Sequence, residues 1–155
     1  MAATTGSTPW TGGCQCGAVR YALTTPPEES SICHCRMCQK ASGQPFMALA
    51  RVKLHDIVWT RGAPTIFASS NLAERGFCRA CGTPLTYRFL AEDNVSVAVG
   101  SLDHPRLAPP TIQYGVEGEL PWCASLSTLP RRRTEEFLTA EQAARFHNHQ
   151  HPDHD

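Results

Sequence analysis

The stretch CHCRMCQKASG, Cys33–Gly43, places three cysteines within six residues and then no more. Two would suggest a zinc knuckle and four would complete a tetrahedral cage, so three leaves one metal position unassigned. Four further cysteines stand in two other tight groups, Cys14/Cys16 and Cys78/Cys81, and Cys123 stands alone. Spacings of C-x-C and C-x-x-C make strained rings as disulfides, yet they let neighbouring sulfurs converge on one ion. The chain starts MAATTGSTPW, which lacks the basic end and apolar stretch of a secretory signal. A cytoplasmic setting is therefore expected, and its reducing conditions favour metal thiolates over disulfides.

The seven clustered thiols divide by arithmetic into a closed site and an open one. Cys14, Cys16, Cys78 and Cys81 supply the four ligands of a structural zinc. Glycines flank both pairs (Gly12-Gly13, Gly17 and Gly82), which suits tight turns around bound sulfur. Such a site ties the N-terminal segment to the middle of the chain, so its binding free energy is largely folding free energy. Cys33, Cys35 and Cys38 remain as three ligands with one exchangeable position, the pattern of a catalytic zinc. The competing reading is that His34 or Cys123 closes this site. However, His34 lies between two ligands, and Cys123 sits in apolar PWCASL, where a lone cysteine is usually a small buried hydrophobe. Three thiolates make zinc a weak Lewis acid but a soft one, suited to accepting and deprotonating an incoming thiol.

The rest of the chain reads as mainly β. Strands are expected at Ala18–Thr24, Phe46–Val52, Asp56–Thr60, Pro84–Phe89 and Val95–Ser101, the last having the cleanest alternation. Thr139 and Gln142 form a capping box that predicts one short C-terminal helix over AEQAARF, and a shorter helix is expected from Gln39 to Ser42. The expected organisation is a flexible segment 1–9, one zinc-binding catalytic domain 10–146 and a polar, His-rich, disordered tail 147–155. Lys and Arg total 14, as do Asp and Glu, so the basic surplus needed for nucleic acid is missing. No apolar run is long enough to cross a membrane as a helix.

The segments GGCQCGAVRY, CHCRMCQKASGQPF and FCRACGTPLTYR, followed by VGSLDHP and QYGVEGELPW, resemble the glutathione-dependent formaldehyde-activating enzyme family, also called centromere protein V-like. The resemblance runs over about residues 10 to 130 and implies an Mss4-like fold of stacked antiparallel sheets around zinc. It implies two zinc ions per chain, divided as above, with Cys33, Cys35 and Cys38 as the catalytic set. It also implies carbon–sulfur lyase chemistry, joining the thiol of glutathione to formaldehyde as S-(hydroxymethyl)glutathione, with a small-molecule thiol and aldehyde as partners. Gln113 departs from the pattern, standing where the family has His. Glutathione carries two carboxylates, so His34, Arg36, Lys40 and Arg79, all near a cysteine group, are the candidate substrate contacts. Two rivals share this fold: a non-catalytic zinc module binding a protein partner, and a methionine sulfoxide reductase-like enzyme using Cys123.

Overall fold

The computed structural model describes residues 9–154. Nearly all of the expected N-terminal segment 1–9, and Asp155 of the tail, therefore lie outside the described residues.

Among the described residues, ten strands form two sheets. The smaller contains β1 (Thr11–Gly13), β2 (Arg20–Leu23) and β5 (Ile57–Arg61), in the order β1-β2-β5. The larger contains β3 (Glu29–Cys33), β4 (Met47–Lys53), β6 (Thr65–Ala68), β7 (Ala73–Phe77), β8 (Pro84–Phe89), β9 (Asn94–Ala98) and β10 (Ile112–Tyr114). Its order is β10-β3-β4-β9-β8-β7-β6. All pairings are antiparallel except β10 with β3, which is parallel. The mainly β architecture is as expected. Among the described residues helices are few: α1 (Arg36–Ser42), α2 (Ala140–Arg145), several short 3-10 turns and one longer 3-10 segment, Pro121–Thr128.

The period of two explains where the two faces of the large sheet go. On β4, Ala50 and Val52 join Val95 and Val97 of β9 and Leu85 of β8 in the main core, against Tyr21 and Leu23 of the small sheet. Full burial of side chains of this size stabilises by roughly 1.5–3 kcal/mol each. On the opposite face, Met47 and Leu49 pack with Cys38 in a smaller cluster, joined by Cys33, Cys35 and Tyr87. One strand therefore feeds both the core and the floor of the cysteine site.

The alternating run Val95–Ser101 does not remain a strand throughout. It ends at Ala98 and turns into a 3-10 turn, Val99–Ser101. The Ser101 hydroxyl donates to the Ala98 carbonyl at 2.7 Å and accepts from the buried Tyr21 hydroxyl at 2.8 Å. A side-chain hydroxyl thus takes over the backbone partner and ends the ladder. At the C-terminus, α2 opens on the expected capping box: Gln142 N–H donates to Thr139 Oγ1 at 3.1 Å, and Thr139 N–H to Gln142 Oε1 at 2.9 Å. From the tail, His151 returns to the body, its N–H donating to the Gln15 carbonyl at 2.7 Å.

One ion pair ties the small sheet to the segment that follows β9. Arg20 of β2 donates in two-pronged fashion to Asp103, at 2.9 and 2.6 Å, with both side chains almost wholly buried. Thr11 of β1 adds its hydroxyl to Asp103 Oδ2 at 2.6 Å. Burial alone would raise the Asp103 carboxyl, but the Arg20 guanidinium and the Thr11 hydroxyl outweigh it and hold it below its ordinary value. Its contribution is therefore complete above the ordinary carboxylate range and is lost as the pH falls through the depressed value. Asp103→Ala strands a buried guanidinium, and urea denaturation at neutral pH should show a loss of about 3–5 kcal/mol. A loss under about 1 kcal/mol would mean that the pair is a passenger.

Candidate metal centres

All eight cysteines are free thiols. Seven meet in two groups within which every sulfur lies within 4.8 Å of the others: Cys14, Cys16, Cys78 and Cys81, and separately Cys33, Cys35 and Cys38. Cys123 lies in the 3-10 segment Pro121–Thr128 and joins neither.

The four-sulfur group forms between two knuckles. The first follows β1 and turns at Gly17, whose φ of 76° is open to glycine at little cost; the second links β7 to β8 and turns at Gly82, φ 79°. Cys14 Sγ lies 3.6 Å from Cys16 Sγ, which is 3.9 Å from Cys78 Sγ. A tetrahedron with Zn–S bonds of about 2.3 Å has edges of about 3.8 Å, so the donor set fits such an ion. Val19 N–H donates to Cys14 Sγ at 3.2 Å. Gln15 N–H donates to Thr83 Oγ1 at 3.0 Å, which leaves the Thr83 hydroxyl to donate to Cys81 Sγ at 3.2 Å. Burial works against the Cys81 thiolate, yet this hydroxyl and the backbone N–H groups of Thr83 and Cys16 bring the thiol down to about 6. Donors aimed at sulfur are what metal thiolates require of their surroundings.

The three-sulfur group is built at a strand-to-helix junction. Cys33 ends β3, Cys35 is the N-cap of α1, and Cys38 lies one turn on, its N–H donating to Cys35 Sγ at 3.4 Å. Helix α1 thus begins earlier than its sequence signal, because a sulfur stands in for the usual N-cap oxygen. Burial pushes the Cys33 thiol up to about 12. Burial opposes the Cys35 thiolate too, but the Cys38 N–H, the Cys33 and Cys38 thiols and the Met37 N–H together prevail and lower it.

The junction is braced from outside. His34 N–H donates to the Tyr114 carbonyl at 2.9 Å as β10 pairs with β3. The Gln39 amide donates to the carbonyls of His34 and Gly118, at 2.8 and 2.9 Å. Gly115 is required here: its φ is 63°, and a Cβ would stand 2.7 Å from Cys35 N. Nothing local in the sequence marks Gln39 or Gly115 as partners of the ligand loop. Gln113 Oε1 accepts from His34 Nε2 at 2.8 Å, so the residue that departs from the family pattern orients a buried histidine.

A cavity of about 600 Å³ opens on Cys33, Cys35 and Cys38. Its walls are mainly apolar, with Met37, Leu49, Leu72, Tyr87 and Phe89 among them, and its charged residues are Glu29, Arg51, Arg75 and Glu92. The four substrate contacts expected from sequence stand elsewhere. His34 is buried against Gln113 and Phe46, and Arg36 reaches Gln39. Lys40 lines a neighbouring cavity of about 570 Å³ with Ile66 and Phe67, and exposed Arg79 belongs to the four-sulfur knuckle. Glu29, Ser31 and Cys33 share the cavity face of β3, and the strand partner of Glu29 is Arg51; nothing in ESSIC itself marks that face.

A small β protein with one group of four thiols and one of three, the second facing a cavity, carries the donor sets that define metal-thiolate proteins. Within that class the chain belongs to the family described as "Glutathione-dependent formaldehyde-activating enzyme", whose model matches residues 9–117. An uncharacterized lyase of Schizosaccharomyces pombe is 32% identical over 78 residues, which cover 50% of this chain and 56% of the yeast protein. The chain thus spans about half the length of that curated relative. A Rhodobacter sphaeroides protein of known crystal structure superposes with a TM-score of 0.54 at 24% identity, over 66% of this chain and 98% of that one. That likeness bears on the fold.

The two centres should respond differently to loss of one ligand. Cys81→Ser should leave the chain unfolded at ambient temperature, as judged by circular dichroism. Cys35→Ser should lose about one metal equivalent by elemental analysis and still unfold cooperatively. Equal damage to folding by both would abolish the division of roles.

Proposed function

We propose that the protein is a zinc-dependent carbon–sulfur lyase that makes and breaks thiol–aldehyde adducts, after the pattern of S-(hydroxymethyl)glutathione formation from glutathione and formaldehyde. The observation that carries this reading is the three-thiol set, without a fourth Cys, His, Asp or Glu donor among the described residues, at the base of a substrate-sized cavity. The family membership and the lyase name of the yeast relative support it. We further take residues 10–146 to act as one catalytic domain.

Zinc held by three thiolates supplies a soft fourth position that draws an incoming thiol toward its thiolate form. The chain's own residues do the rest. Cys33, Cys35 and Cys38 fix that position, and the brace from Gln39 and Tyr114 keeps the ligand loop from shifting. Leu49 and Tyr87 floor the cavity, and Leu72 and Phe89 wall it, so that the aldehyde meets sulfur in a confined and partly dry space. In the forward direction a C–S bond forms, the carbonyl π bond opens onto oxygen, and the thiol proton ends on that oxygen. The reverse direction is the lyase reaction. Because the uncatalysed addition is already feasible, the enzyme contributes orientation and thiolate character.

Exchange spectroscopy by NMR on an equilibrium mixture of glutathione, formaldehyde and adduct tests this directly. Zinc-loaded protein should speed interconversion by about a hundredfold or more over buffer, and Cys35→Ser should return it to the buffer rate. If glutathione and smaller thiols all exchange at the buffer rate with loaded protein, the lyase assignment fails.

A further inference from the structure

Arg75 of β7 is 7% exposed, and each of its three guanidinium nitrogens has a partner. Nε donates to Ser69 Oγ at 3.1 Å, one terminal nitrogen reaches the Met47 sulfur at 3.7 Å, and the group lies 4.9 Å from the Tyr87 ring centre. The other terminal nitrogen donates to Cys38 Sγ at 3.4 Å. Hydroxyl, thioether and ring are neutral, and among the described residues no carboxylate comes within ion-pair distance of Arg75; its neighbour Glu74 is engaged by Arg88. A buried guanidinium without an anion is costly, so the charge here answers to sulfur.

We infer that Arg75 is a positioning residue of the three-cysteine centre: by donating to Cys38 Sγ it offsets the centre's negative charge and so admits a further anionic sulfur. This rests on the lyase reading and adds what that reading lacks. Three thiolates around a divalent ion carry a net charge of about −1, which disfavours a fourth thiolate. A fixed cation within hydrogen-bond distance of one ligand offsets that charge in a low-dielectric setting, where the effect is largest. Arg75 also borders the cavity, so the positive charge lies on the side from which substrate arrives. Tyr87 and Ser69 hold the planar group in place, which a flexible amine would not match.

The test uses protein loaded with cobalt(II), whose sulfur-to-metal charge-transfer bands report on the ligands, titrated with 2-mercaptoethanol. In the wild type the thiol should change the spectrum of the three-cysteine centre. In Arg75→Gln, with metal content unchanged, the bands should move to longer wavelength and the apparent Kd for thiol should rise about tenfold or more. Arg75→Lys should rescue part of this, leaving a loss of about threefold. An Arg75→Gln protein that is folded, unshifted and within twofold of wild type for thiol overturns the inference. Should Arg75→Gln not fold, Arg75→Lys decides: wild-type bands and affinity overturn the inference, and an intermediate loss with a shifted band supports it. A wild-type protein whose spectrum ignores thiol sinks the lyase reading itself, an outcome separate from equal responses in wild type and variant.

Discussion

The structure depends on a sulfur tether between segments about sixty residues apart. Cys14 and Cys16 follow the first strand of the small sheet, and Cys78 and Cys81 link two strands of the large one. Bringing these thiols within 4.8 Å of one another seats the segment after β1 against the turn between β7 and β8, where Cys14 and Cys78 also join the main core. Arg20 and Asp103 make a second tie beside it, buried and doubly bonded. In the main core beside them, Tyr21 and Leu23 pack with Leu85 and Val97.

The second thiol group draws on a different part of the architecture. It occupies the far face of the large sheet, on the smaller cluster of Met47, Leu49 and Tyr87. Its three sulfurs come from one short loop, so the loop alone defines the set, whereas the cavity over it is assembled from β3, β4, β7, β8 and β9. The ligands are thus local and the environment is global.

The buried histidine and arginine beside this loop show how polar groups are accommodated there. His34 points away from the cavity and is held by Gln113, whereas Arg75 points at a ligand sulfur from another strand. Residues adjacent in sequence to the cysteines therefore mostly support the loop, and the charges that face the cavity come from a distance.

Cysteine spacing by itself determined that seven thiols would act in groups, because ligands two or three residues apart converge whatever the fold around them. Alternation and capping likewise located Pro84–Phe89, four other strand segments and the C-terminal helix, since these depend on neighbours a few residues away. Strands β3, β7 and β10 carried no such mark: ESSIC, AERGF and IQY lack clean alternation and are strands because of what lies beside them. Only the tertiary structure decided that Glu29, Arg51 and Arg75 face the open site while His34, Arg36, Lys40 and Arg79 do not. The reason is register: a side chain's face is set by its partner strand, and that pairing is written nowhere in the local sequence.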